Sequence, residues 1–245
     1  MIIRWVKPPP LLPKMSNPVE IKLTADGSHT LFIAALNENY HSYHGAYAEA
    51  QHVFIKMGLM AAKENFSPIR VFEVGFGTGL NATLAYAFSM HQHHPVHYTG
   101  IEKHPLPTEI ISQLNYGEFW KNTQLDEVFK TMHQSLWNTP LPLDVHFQFE
   151  KIKDSVLDYA LPPNHYHVIF FDAFAPEKQP EMWTVDLLSR LYQALAPGGM
   201  LVTYCAKGQF KRNLKAAGFE VQTLPGPPGK REMVRGVKGE SHAGK

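Results

Sequence analysis

The sequence predicts a doubly wound α/β domain: a mostly parallel seven-stranded sheet with helices on both faces, preceded by a β-hairpin extension. Three observations lead there. Strand-length apolar runs alternate with helical runs from Val71 to Arg235, the order that builds a parallel sheet through βαβ crossovers. Val168 Ile169 Phe170 Phe171 is a continuous apolar run, as in a strand covered on both faces. Glu73 Val74 Gly75 Phe76 Gly77 Thr78 Gly79 separates an apolar strand from an alanine-rich helical run, so a tight glycine turn joins the first core strand to its helix.

The elements follow in order. Pro8, Pro9, Pro10 and Pro13 break the first fifteen residues, so neither a signal peptide nor an anchor is expected there. Val19 to Leu36 reads as a hairpin turning at Asp26 Gly27. Tyr40 His41 Ser42 Tyr43 His44 Gly45 leads into a helix whose apolar positions Ala46, Ala50, Val53, Phe54 and Met57 keep helical spacing, which leaves this segment to close the pocket or to form a plain loop. After the glycine turn come a helix through Phe88, a strand from Val96 to Glu102, a helix opened by Pro105 and running to Leu114, and a helix from Glu118 to Leu136. A strand from Asp144 to Phe149, a short helix from Asp154, the strand His165 to Phe171 and a helix from Trp183 to Leu195 come next. Pro197 Gly198 Gly199 turns the chain into a strand from Met200 to Tyr204, a helix from Lys207 to Ala217 follows, and two strands surround the loop Pro225 to Gly229. Residues 1–62 are expected to form the extension, 63–236 the core and 237–245 a flexible tail.

The turn has a chemical meaning. Its helix points unpaired N–H groups and a positive dipole end at whatever occupies the turn, which favours an anionic or carboxylate-bearing ligand. The spacing is E-x-G-x-G-x-G, and Leu80 stands where a dinucleotide fingerprint needs its last glycine. The motif resembles the first motif of the S-adenosylmethionine (SAM) methyltransferases, a Rossmann-like class. Glu73, Gly75, Gly77 and Gly79 are therefore cofactor-binding candidates. Glu102, at the tip of the next strand, stands where an acid can hold ribose hydroxyls. A nicotinamide oxidoreductase is disfavoured by Leu80.

Bulk properties agree with an ordinary globular enzyme. Hydrophobic residues make up 44% and charged residues 18%, and the net charge is +1. From Lys207 onward nine Lys or Arg face three acids, so basic charge collects at the C-terminal end. The one cysteine, Cys205, excludes an internal disulfide and fits a cytoplasmic, reducing location. His91, His93, His94 and His97 are assigned to a solvated loop without Cys or acid partners at ligand spacing, so no metal is expected. No apolar run reaches membrane-spanning length.

Phe171 Asp172 Ala173 Phe174 Ala175 Pro176 ends the fourth strand, beside the glycine turn. It resembles the D/N-P-P-Y/F segment of amine-modifying methyltransferases, with Ala173 replacing the first proline. That segment holds a target nitrogen by a side-chain acceptor and a backbone carbonyl while an aromatic face packs the ring, which makes Asp172 and Phe174 the catalytic candidates. Together with Tyr40 His41 Ser42, Pro180 Glu181 Met182 Trp183 Thr184 and Gly229 Lys230 Arg231 Glu232 Met233, the sequence resembles the methyltransferase domain of the tRNA 5-methylaminomethyl-2-thiouridine biosynthesis protein over about residues 19–236. The resemblance implies transfer of the SAM methyl to a 5-aminomethyl group on the wobble (2-thio)uridine in the tRNA anticodon arm. It makes Asp154 a candidate for the adenine amino group, with a helix N-cap as the alternative role. The best-known members are fused to a flavin-dependent oxidase; no second glycine fingerprint follows here, so a stand-alone form without flavin is expected. Lys211, Lys215, Lys230 and Arg231 are the RNA-binding candidates. A small-molecule N-methyltransferase or aminopropyl transferase is the alternative enzyme, and an RNA-binding module with a vestigial cofactor fold the non-enzyme reading.

Overall fold

Two sheets organise the chain. The computed structural model describes residues 19–240; the proline-rich start and positions 241–245 of the expected tail lie outside the described residues. In the smaller sheet, β1 (Val19–Leu23), β2 (His29–Ile33) and β3 (Glu38–Asn39) pair antiparallel, so the expected hairpin gains a short third strand. Its first turn also starts the next helix. Asp26 Oδ2 accepts from Ala48 N at 2.9 Å, Ser28 Oγ from Tyr47 N at 3.1 Å and Thr24 Oγ1 from Ala46 N at 3.3 Å. Three amides that a helix start leaves unpaired are thereby met by side chains of the hairpin.

That helical run, 46–62, is an α-turn Ala46–Ala50, a wide π-helical stretch Gln51–Leu59 and a closing turn Met60–Ala62. It packs on the main sheet, where Phe54 meets Phe170 with ring centres 5.0 Å apart.

The main sheet has eight strands in the order β10-β11-β9-β8-β4-β5-β7-β6. They are β4 (Ile69–Val74), β5 (Val96–Glu102), β6 (Leu141–Asp144), β7 (Phe147–Lys153), β8 (Tyr166–Phe171), β9 (Leu195–Thr203), β10 (Glu220–Pro225) and β11 (Glu232–Val237). The five central strands run parallel, and β6, β10 and β11 pair antiparallel. The expectation of seven strands misses β6. Pro140 and Pro142 argue against a strand, yet an outermost strand tolerates a missing N–H, and the pairing with β7 shifts register beside Pro142. Every residue of β8 is buried, as its apolar run predicts. The core lies on both faces, under helices 46–62 and Leu80–Gln92 on one side and Val185–Ala194 and Gly208–Ala216 on the other.

Several helix boundaries differ from expectation for local reasons. The run expected from Glu118 to Leu136 is two helices, Tyr116–Trp120 and Thr123–Gln134, broken where Lys121 turns left-handed (φ 50°) and Asn122 caps the second by accepting from Leu125 N. Pro105 does not open a helix. Pro107 disfavours a helical Leu106, and the helix shrinks to Thr108–Ile111. No helix begins at Asp154; amides of Asp158 and Tyr159 close one turn on the Ser155 carbonyl. Thr184 separates a 3₁₀ turn, Pro180–Trp183, from Val185–Ala194. Of the four histidines assigned to a loop, His91 lies in the preceding helix and His97 in β5. Val237 belongs to β11, one residue beyond the expected core.

Candidate active site

The strand order sets where a ligand can sit. From β4 the chain adds β5 and β7 on one side, then crosses to lay β8 and β9 on the other. Loops leaving β4 and β8 diverge at their carboxyl ends, the crevice where open α/β sheets bind ligands. A cleft of ≈ 980 Å³ opens there, and Gly75, Gly77, Asn81, Glu102, Asp154, Asp172 and Phe174 all line it. That volume lies at the upper end of small-molecule sites, room for a nucleoside-sized ligand with space beside it.

The glycine turn is shaped by close approach. A Cβ on Gly75 (φ 89°) would lie 3.1 Å from the Asp172 carbonyl, and one on Gly77 (φ 49°) 3.1 Å from the Tyr40 ring. Side chains there would push apart the loops of β4 and β8 and the segment that covers them. Gly79 has a different job. It enters the helix left-handed (φ 74°), and a Cβ would meet His133 Nε2 at 2.8 Å, so it faces the interior and does not line the cleft.

Glu102 reaches back from β5 to the turn. Its Oε2 accepts from Gly77 N at 3.0 Å and its Oε1 from His104 N at 2.7 Å, which fixes the carboxylate at the cleft wall. Asp154 also lines the cleft, from an exposed turn, where its Oδ1 accepts from Ser155 N at 2.7 Å. With no helix beginning there, the N-cap role falls away.

Glu73 lies below the cleft floor, 1% exposed. The residue joining it to the site is Asn81, itself 3% exposed, whose Nδ2 donates to Glu73 Oε1 and to Asp172 Oδ2, both at 2.9 Å. Burial pushes the Glu73 carboxyl well above the usual range; Tyr98 and Asn81 oppose this, and the charges of Asp172 and Glu102 add to it. Burial likewise pushes the Asp172 carboxyl up to about 7, with Glu49 adding to the rise and Asn81 and Lys230 opposing it. A carboxyl poised there can take up a proton at neutral pH, as a general base must.

The backbone after Asp172 is held from behind. Tyr204 Oη donates to the Ala173 carbonyl and Trp183 Nε1 to the Phe174 carbonyl, each at 2.8 Å, and Phe174 N donates to Gln179 Oε1 at 3.1 Å. Both carbonyls already accept one bond, so the Asp172 carboxylate and the Phe174 ring are what the segment chiefly offers a ligand. Tyr40 stands edge-on to Phe174, ring centres 5.1 Å apart, and lies over Gly77. Tyr40 and His41 line the cleft, so the start of the Tyr40 to Gly45 segment forms part of its wall. Burial raises the Tyr40 phenol, with Glu102 adding to the rise, and lowers the His41 imidazole to about 4. Both are neutral at pH 7.

The four RNA-binding candidates are engaged differently. Lys211 pairs with Glu232 at 2.9 Å, and Lys230 pairs with the buried Glu49, whereas Lys215 and Arg231 are exposed and in no ion pair with a described residue. Lys103, Lys153 and Lys178 instead stand on the cleft itself, again in no ion pair with a described residue. Lys103 and Lys153 follow or end a strand, a position that charge counting along the chain does not mark. Asn81 has a readable signal, a polar residue in the first turn of the helix after the glycines.

Comparison with known proteins agrees with this geometry. A family model described as S-adenosyl-L-methionine-dependent methyltransferase matches residues 117–239, half of the chain, including the Asp172 segment. The tRNA 5-methylaminomethyl-2-thiouridine biosynthesis bifunctional protein MnmC of Chromohalobacter salexigens is 30% identical over 237 residues, covering 89% of this chain and 33% of that protein. The MnmC of Cupriavidus necator is 32% identical over 238 residues, covering 91% and 35%. The chain thus spans about a third of the length of these curated relatives. The crystal structure of MNMC2 from Aquifex aeolicus superposes with a TM-score of 0.70 at 25% identity, covering 91% of this chain and 71% of that one. Spermidine synthase from Thermotoga maritima gives 0.57 at 12% identity over 92% and 70%, a likeness of fold alone. No helix among the described residues is long and apolar enough to cross a membrane. The chain belongs to the S-adenosyl-L-methionine-dependent methyltransferase family and is related within it to the tRNA 5-methylaminomethyl-2-thiouridine biosynthesis bifunctional proteins.

Proposed function

We propose that this chain N-methylates the 5-aminomethyl group of the wobble (2-thio)uridine in the anticodon arm of tRNA, in the cytoplasm. The observation that carries the reading is Asp172, a half-buried carboxyl poised near neutrality at the cleft between the glycine turn and Phe174. SAM supplies a methyl group activated on a sulfonium. The cradle fits it: Gly75 and Gly77 line the cleft with no Cβ to fill it, Glu102 offers a fixed carboxylate to ribose hydroxyls, and Asp154 offers one to the adenine amino group.

The chain's own contribution is alignment and proton handling. Phe174 and Tyr40 wall the target end, and holding an amine in line there can remove on the order of 7–11 kcal/mol of barrier. A primary alkylamine enters largely protonated and has no lone pair until it gives that proton up. Asp172 accepts a hydrogen bond from it and then the proton, for which a carboxyl near 7 is better matched than one near 4. Lys103, Lys153 and Lys178 on the cleft, beside the acids Glu102, Asp154 and Glu181, are the groups that would meet phosphates of a bound tRNA.

The test uses labelled SAM and tRNA from cells lacking this modification, followed by identification of the methylated nucleoside. Label in 5-methylaminomethyl-(2-thio)uridine is expected. Label in any other nucleoside overturns the assignment.

A further inference from the structure

Lys230 lies in the basic C-terminal segment, yet its ammonium is turned inward. It pairs with Glu49 Oε2 and lies 4.1 Å from the centre of the Tyr204 ring. Glu49 is 5% exposed, and its other oxygen accepts from Ser42 N at 3.0 Å. Tyr204 in turn donates to the Ala173 carbonyl, next to Asp172. One ammonium therefore ties three distant pieces together: the Tyr40 to Ser42 cover, the helix that follows it, and the wall behind Asp172. The loop carrying Lys230 is itself docked, with His52 Nε2 2.8 Å from the Pro225 carbonyl and Gly229 packed so tightly on the His44 ring that a Cβ would overlap it.

We propose that Lys230 and Glu49 are a positioning pair for methyl transfer, holding the Tyr40 to Ser42 segment against the target wall and setting opposite charges behind Asp172, with Lys230 making no RNA contact. This rests on the reading of Asp172 as the proton acceptor. The two charges act on Asp172 in opposite directions, Glu49 disfavouring its ionised form and Lys230 favouring it. Other ionisable groups facing Asp172 are Glu73 below it, Tyr98 from β5, Tyr116, and Tyr204. None of these carries a positive charge, so removing Lys230 leaves its effect unreplaced.

Two readouts separate this proposal from the reading beneath it. The first needs no substrate: titrate the Asp172 carboxyl by ¹³C NMR in aspartate-labelled protein, identifying the resonance by its loss in Asp172→Asn. The midpoint should move up by about one unit in Lys230→Met, down in Glu49→Gln, and return near wild type in the double variant, which buries no unpaired charge. The second is the pH profile of kcat/KM with tRNA, where Lys230→Met should shift in the same direction with the effect mainly on kcat, and Lys230→Arg should restore the profile. An unmoved Asp172 midpoint in Lys230→Met, or in Glu49→Gln should Lys230→Met fail to fold, overturns the proposal, as does a loss confined to KM for tRNA. Moved midpoints without methylation of any tRNA would instead leave the pair standing and remove the substrate assignment.

Discussion

Asp172→Asn should raise the stability of the ligand-free protein at pH 8 even as it takes the proton acceptor out of the cleft. The native carboxyl is held at about 7 against a usual 3.8. Each unit of difference corresponds to about 1.4 kcal/mol, so at pH 8, above both values, ionised Asp172 costs the native state up to about 4 kcal/mol. One side of the residue faces the cleft, and screening there brings the expected gain to about 2 kcal/mol. The sign follows from proton counts: between the unfolded and native values the native state binds more protons, so stability falls as pH rises through that window. At pH 5 the cost is roughly 1.6 kcal/mol before the same discount, so the variant's advantage should fall to about two-fifths between pH 8 and pH 5. Glu73 contributes a slope of the same sign, and His41 and His133, both held near 4 by burial, contribute the opposite one. The two histidines drop out of the difference, whereas Glu73, whose rise the Asp172 charge adds to, is partly relieved in the variant and widens the gap in the same direction. The carboxamide oxygen of the variant can still accept from Asn81, so no buried donor is orphaned. Urea unfolding at pH 5, 6, 7 and 8 measures the gap directly. A variant less stable than wild type at pH 8, or a gap that ignores pH, would refute the account of Asp172 as a carboxyl strained toward its proton.

Other expectations follow from the same geometry. Methyl transfer should rise with pH through about 7 and be lost below it, because only ionised Asp172 accepts the proton; a flat profile from pH 6 to 8 would move that role elsewhere. Glu102→Ala should weaken SAM binding by about 1–3 kcal/mol by calorimetry, since it unpairs the Gly77 and His104 amides as well as the ribose, and an unchanged Kd removes Glu102 from the site. Reversing Lys103 and Lys153 to Glu should flatten the salt dependence of tRNA binding more than reversing Lys211 and Lys215, each lost phosphate contact changing the log–log slope by about 0.7; the opposite ranking would route the RNA over the helix Gly208–Ala216. Gly79→Ala should destabilise by about 1 kcal/mol or more from its left-handed backbone and the contact with His133, while any folded fraction keeps normal SAM affinity.

What was legible beforehand divides by distance along the chain. Gly75, Gly77, Glu102 and Asp172 are each marked by local pattern, an apolar strand ending in a turn residue or an acid, and the sheet brings those ends together by rule. Glu73 and Gly79 belong to the same motif, and nothing in the spacing says that one lies under the floor and the other faces His133. Asn81 could have been suspected from its place in the first helical turn. Glu49 and Lys230 could not, since 181 residues separate them and each alone looks like an ordinary surface charge. Charge counting sees the excess around Lys211 and Lys230 but not the acid that the fold sets against each. Strand β6 was hidden by prolines that exclude an interior strand and permit an outermost one.

The two margins of the main sheet bear on how the protein behaves when crowded. An eight-stranded sheet could in principle keep growing, since each margin presents N–H and C=O groups to any passing chain. On the β6 side Pro142 removes a donor and the adjoining register shift breaks the straight row a newcomer would need. On the β10 side Glu220, Gln222 and Thr223 are exposed polar residues, and the strand stops at the exposed Pro225. Neither margin is a good template for cross-chain fibre growth. Swapping Pro142 for a β-branched residue would restore a continuous donor row there, and slow β-rich aggregation at high concentration would be its visible cost.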